Sequence, residues 1–248
     1  MIGQIQRNIC RLLGCGNVMY CVHHKKYIDE AIKEYALFQD YLESSSFGET
    51  PIDKYVFGMI ARCCETVESM FQNTKGAPDN TLIILLRHLF ETTIRIRYLA
   101  QDPHINIKYF EIAEATGKIN IIGRETEDED TTERTNERQN LKKTIDEKKK
   151  ELKEALKISG NPSNLGVEMM CTALCEQENY KIYRMLSQYE HSNGMGLLGT
   201  VIDRTSGEIK VGGRMEQERV ELIWKFVIAM LQGIKESVDM LNSHRPTP

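Results

Sequence analysis

The apolar positions of this chain repeat at helical spacing along almost its whole length. From Tyr27 to Ser44, residues Ile28, Ile32, Tyr35 and Leu42 recur with charges between them, which predicts an amphipathic helix. Ser44, Ser45, Ser46, Phe47 and Gly48 end it. Pro51 suits a first helical turn, where its missing N–H has no partner to lose, so Ile52–Asn73 predicts a second helix. After a break at Gly76–Asn80, with Asp79 or Asn80 as the cap, a nearly continuous apolar run predicts a third helix over Thr81–Leu99. Pro103 disfavours helix just before it. Beyond it, His104–Lys118 predicts a shorter helix that offers Tyr109, Phe110, Ile112 and Ala113 to a core.

The pattern then thins. Between Arg124 and Lys157 the chain is mostly Glu, Asp, Lys, Arg and Thr, and Leu141, Ile145, Leu152 and Leu156 recur at intervals of four, seven and four. That is a narrow seam rather than a broad core face. It predicts an acidic flexible loop over 123–134 and then a solvated helix, 136–158, leaning by one edge on the body or on a second copy. Together these form a charged insertion over 118–160. Core-like periodicity returns in Leu165–Cys175 and Tyr180–His191 and is ended by Gly194, Gly196 and Gly199. Alternation in Thr200–Ile202 and Glu208–Val211, around a turn that closes at Gly207, predicts a small β-hairpin over 197–211. Met215–Leu241 predicts a long last helix with a stripe through Val220, Ile223, Trp224, Val227, Met230, Leu231 and Ile234. The fold class expected is all-α: one helical bundle domain over 1–248, with a small hairpin and a charged helical insertion.

Composition narrows the function classes. A chain of 248 residues can bury a sizeable core, and no apolar run approaches the roughly 20 residues needed to cross a bilayer, so no membrane partner is expected. A net charge of −4 gives no global field for nucleic acid, which leaves only a local basic site for such a contact. The apolar stretch Ile9–Val22 is interrupted by Arg11 and lacks a small-residue cleavage pattern, so a signal peptide is not expected. Seven cysteines with no regular framework suit a reducing cytoplasm. Cys10, Cys15, Cys21, His23 and His24 lack the paired C-x-x-C spacing of a zinc knuckle, so no metal is assigned to them, and Cys63, Cys64, Cys171 and Cys175 read as packing residues. Gly-rich phosphate loops, dinucleotide fingerprints and His-Glu-x-x-His are all missing from the sequence, and no cofactor is expected.

Two clusters carry candidate chemistry. Arg87, Glu91 and Arg95 fall at i, i+4 and i+8 inside the apolar third helix, where an unpaired buried charge costs about 3–5 kcal/mol. Those charges require partners or a polar cavity. Arg184, Ser187 and His191 fall at spacings of three and four, which brings them near one face of a later helix. Arg pairs with phosphate or carboxylate through a planar fork, and His moves protons near neutral pH. Such a set can hold a phosphodiester and deprotonate a ribose 2′-hydroxyl or protonate a leaving 5′-oxygen. Arg184, His191, Ser187, Arg87 and Glu91 are therefore the candidate catalytic residues, with Arg95, Tyr183 and Tyr98 as binding residues. The bland alternatives are a buried Arg–Glu clamp between helices and a His191 that caps a helix C-terminus.

The pattern Leu85, Arg87, Glu91, Tyr98, Leu99, followed by Tyr183, Leu186, Ser187 and His191, resembles an uncharacterised bacterial helical domain family from about residue 50 to the C-terminus. More distantly, Arg184, six residues and His191 are similar to the arginine–histidine motif of the HEPN superfamily, with Met185 where that motif usually has a polar residue. The HEPN resemblance implies a dimeric, metal-independent ribonuclease of antiviral defence or toxin systems, with Arg184 and His191 as its catalytic pair and RNA as its substrate. The alternative expectation is a non-enzymatic module that binds a small anionic ligand, or a protein partner through helix 136–158.

Overall fold

The computed structural model describes residues 22–45, 47–74, 80–124, 132–157, 165–190 and 217–244, and every element among them is a helix. In chain order these are α1 (Val22–Ser44), α2 (Pro51–Asn73), α3 (Asn80–Gln101), α4 (Pro103–Arg124), α5 (Thr132–Leu156), α6 (Val167–Ala173), α7 (Gln177–Glu190) and α8 (Gln217–Ser243). The hairpin expected over 197–211 lies outside the described residues, as does the segment carrying Cys10, Cys15 and Cys21.

The centre of the bundle is α3, which packs against α2, α4, α6, α7 and α8. A helix hydrophobic on nearly every side is stable only when neighbours cover it, and Leu82, Leu86, Leu89, Phe90, Ile94, Ile96 and Leu99 are all buried. Thr92 and Thr93 fit that interior because their hydroxyls donate back to the carbonyls of His88 and Leu89, at 2.9 and 2.8 Å. α1 and α8 pack together and α8 also lies on α3. In this layer Trp224 of α8 is fully buried and stacks on Phe71 of α2, with ring centroids 4.9 Å apart, and Tyr35 of α1 meets Phe71 at 5.9 Å.

α2 begins where the proline predicted, and its start is fixed by a capping box. The Thr50 hydroxyl accepts from the Asp53 backbone N–H at 3.2 Å while Asp53 accepts from the Thr50 backbone N–H at 3.3 Å. α4 runs six residues past the expected end at Lys118, to Arg124, so the first part of the expected insertion belongs to a bundle helix. The reason is that α5 folds back on it and gives those extra turns something to pack against. Residues 132–134, expected in the acidic loop, are the first turn of α5, while 125–131 lie outside the described residues. The narrow seam is half right. Ile145 and Leu152 are buried and Leu141 is half-buried, but Leu156 is 38% exposed at the helix end. Charge completes the contact: Lys108 of α4 pairs with Glu151, and Lys148 reaches Glu111 at 3.1 Å.

Candidate functional site

Antiparallel packing of α7 on α3 builds the polar cluster. One tether lies at the α7 N-terminal end, where Arg97 pairs with Glu176, which also accepts from Asn179 at 2.7 Å. Just before it the chain turns at Cys175, whose φ of 57° places it in the left-handed region. The second tether is Arg87. Its Nε donates to Ser187 Oγ at 3.0 Å and its Nη2 to the Tyr183 hydroxyl at 2.7 Å, while the guanidinium carbon lies 5.0 Å from the Tyr183 ring centroid. Ser187 in turn donates to the Tyr183 carbonyl at 2.9 Å, which orients its oxygen lone pairs toward the arginine.

Glu91 occupies the middle of the row. One carboxylate oxygen accepts from Arg95 at 2.7 Å; the other stands 3.8 Å from Arg87 and accepts a long bond from the Tyr183 hydroxyl at 3.5 Å. Side-chain exposures of 12% for Arg87, 22% for Glu91 and 34% for Arg95 form a gradient from buried clamp to open edge. The expectation that these charges need partners is met, and Glu91 serves both arginines.

Arg184 does not join this cluster; its side chain is exposed. Helix geometry explains the difference from the expected single face. Tyr183 and Ser187 lie about 40° apart around the helix, whereas Arg184 is turned about 100° from Tyr183. Once Tyr183 faces Arg87, Arg184 points to the side, where its charge is felt by Tyr180. His191 lies outside the described residues. Tyr98 is a core residue, 4% exposed with its ring 6.1 Å from that of Tyr109, and about 16 Å along the α3 axis from Arg87. Among the cysteines, Cys63 and Cys171 are buried as expected, but Cys175 is exposed at its turn.

On the other side of α3, a cavity of about 860 Å³ opens between α2, α3 and α4. Glu91 and Arg95 line it, together with Arg62, Glu65 and His88. None of these last three was expected from the sequence. The signal that could have found them is the stripe Tyr55, Met59, Arg62, Thr66, whose four–three–four spacing mixes aromatic and charged residues on one face of α2. At one end the Tyr55 hydroxyl binds Glu114. Burial and that carboxylate push the Tyr55 phenol well above its ordinary range, while Lys118 and Tyr55 hold Glu114 below its own. Among the described residues no group of His, Cys, Asp and Glu is placed to hold a metal, and no helix is long and apolar enough to cross a membrane.

Fold and site together define a helical-bundle protein with a cross-helix polar cluster on its central helix. The chain belongs to a family of unknown function, designated DUF5677, whose sequence model matches residues 53–209. That span runs from the first turn of α2 through α7 and includes every candidate site residue, and it agrees with the expected uncharacterised domain family; α1 and α8 lie outside it. No curated protein and no solved structure matches the chain. A HEPN relationship finds no support among these comparisons.

Proposed function

We propose that the α3–α7 pair is the phosphodiester-handling face of a metal-independent ribonuclease, similar in mechanism to HEPN enzymes and acting as a cytoplasmic homodimer in bacterial defence or growth control. The observation that carries this reading is the seat of α7. Arg87 holds Tyr183 and Ser187, and this leaves Arg184 exposed on the adjoining face, available to a phosphate. His191 follows Ser187 by four residues in the sequence. In the proposed reaction the ribose 2′-oxygen attacks phosphorus as the P–O5′ bond breaks, leaving a 2′,3′-cyclic phosphate and a 5′-hydroxyl. His191 either takes the 2′-proton or supplies one to the leaving 5′-oxygen, with water handling the other proton, and Arg184 stabilises the charge that grows on the phosphoryl oxygens. Glu91 keeps Arg87 oriented, and Arg87 keeps Ser187 in place.

The test is cleavage of structured and single-stranded RNA by purified protein in chelator, comparing wild type with Arg184→Ala and His191→Ala. Both variants should lose cleavage by on the order of 100-fold or more, His191→Ala through the lost acid–base group and Arg184→Ala through the lost stabilisation of transition-state charge. Arg184→Ala should leave stability within about 0.5 kcal/mol, because its side chain is exposed. Intact RNA with wild-type protein, or cleavage that survives both substitutions, refutes the reading.

A second reading has its own observation. The open end of the charge row, Arg95, faces the α2–α3–α4 cavity, which favours a helical module that binds a ligand without turning it over. In that reading the outward face of α5, with Lys143, Glu147 and Lys150 exposed, serves a protein partner.

A further inference from the structure

The α2–α3–α4 cavity has a charge pattern that selects its ligand. Its volume, about 860 Å³, lies within the range of small-molecule sites, roughly 300–1,000 Å³. Two guanidinium groups, Arg62 and Arg95, face three carboxylates, Glu65, Glu91 and Glu114, which leaves a formal excess of one negative charge. Lys118, bonded to Glu114, cancels that excess, so the site has no net positive charge on its lining to draw in a doubly charged phosphate ester. Glu91 is already matched by Arg95 at 2.7 Å, and Glu114 by Lys118 at 2.7 Å. Arg62 and Glu65 remain, one of each sign, three residues apart on α2, and among the described residues neither is ion-paired. Between these charges the walls are mixed: Thr66, Ser69, His88 and Thr92 are polar, while Met59 and Leu85, with Tyr55 and Phe110 at the α4 end, their rings 6.0 Å apart, supply an apolar surface.

From this juxtaposition we propose that the cavity binds a zwitterionic amphiphile of the amino-acid class, with a large aliphatic or aromatic side chain. Its carboxylate pairs with Arg62, a planar fork suited to two parallel hydrogen bonds. Its ammonium is held by Glu65, and its side chain lies on Met59, Leu85 and the Tyr55 ring. Arg95 extends the positive side of the site while it stays bonded to Glu91. The site adjoins the α3–α7 cluster and shares Glu91 and Arg95 with it; its test reads amino-acid binding at Arg62 and Glu65, so it does not depend on the ribonuclease reading.

Calorimetric titration of the full chain with phenylalanine and with leucine tests the proposal, using 3-phenylpropanoate and phenethylamine as analogues that each lack one charge. At least one amino acid should bind. The two analogues should bind on the order of tenfold more weakly than phenylalanine if phenylalanine is the ligand, and 4-methylpentanoate and isopentylamine should show the same loss if leucine is. Arg62→Ala and Glu65→Gln should each weaken amino-acid binding by a similar factor, whereas Ser187→Ala should leave it unchanged. Both substitutions are at exposed side chains, and an unchanged melting temperature separates lost binding from lost folding. The proposal is overturned if neither amino acid binds at millimolar concentration, if the single-charge analogues bind equally well, or if Arg62→Ala and Glu65→Gln bind as wild type.

Discussion

Tyr183→Phe isolates one hydrogen bond at the centre of the α3–α7 contact. The substitution removes the hydroxyl that accepts from Arg87 at 2.7 Å and keeps the ring that the guanidinium lies against. A hydrogen bond to a charged group contributes about 1.5–3 kcal/mol, and since Tyr183 is only half-buried the lower end applies, about 1.5 kcal/mol. For a chain of this length that corresponds to about 3–6 °C in melting temperature. The weak 3.5 Å bond to Glu91 adds little to this figure. The assay is urea unfolding followed by far-ultraviolet circular dichroism, run as a double-mutant cycle with Arg87→Met. In the Arg87→Met background the hydroxyl has no guanidinium to satisfy, so Tyr183→Phe should cost close to nothing, giving a coupling of about 1–2 kcal/mol. An equal cost in both backgrounds would refute the account, because the hydroxyl would then be stabilising the fold by some route other than Arg87.

Leu152 is fully buried on a helix whose packing is against α4, so Leu152→Ala should cost about 2–4 kcal/mol locally. Hydrogen exchange should report it as lost protection in α5 with α3 and α8 unaffected; uniform loss would show that α5 unfolds only with the whole bundle. Thr50→Ala removes the capping box of α2 and should lower stability by about 0.5–2 kcal/mol in thermal unfolding, with no change expected if the cap is solvated. Burial and then the hydrogen bond to Asp239 push the Tyr41 phenol up to about 12. The unfolded chain releases that proton near 10, so its contribution is complete below pH 10 and is lost as pH rises through 12. Alkaline unfolding should therefore show a shallower stability loss over that window in Tyr41→Phe, and an unchanged slope would show that Tyr41 titrates normally.

Helix existence was legible from the sequence because burial imposes a 3.6-residue period that survives in any tertiary context. The run from Leu82 to Leu99 announced the central helix, and the charges at 87, 91 and 95 announced a polar cluster, since nothing else justifies them in so apolar a stretch. Local rules also set the α2 start at Pro51 and the i,i+4 bond from Arg95 to Glu91. What the sequence left open was azimuth. Arg184 and Ser187 are three residues apart, and one-dimensional spacing groups them; the rotation of α7 that seats Tyr183 on Arg87 brings Ser187 inward and turns Arg184 out. Contacts across the bundle decide that rotation, through Arg97 and Glu176 at one end of α7 and Arg87 at the other. The extension of α4 to Arg124 likewise depends on α5 folding back, a contact with no local signature. The cavity holding Arg62 and Glu65 belongs to the same category, because a space between three helices exists only once their mutual packing is fixed.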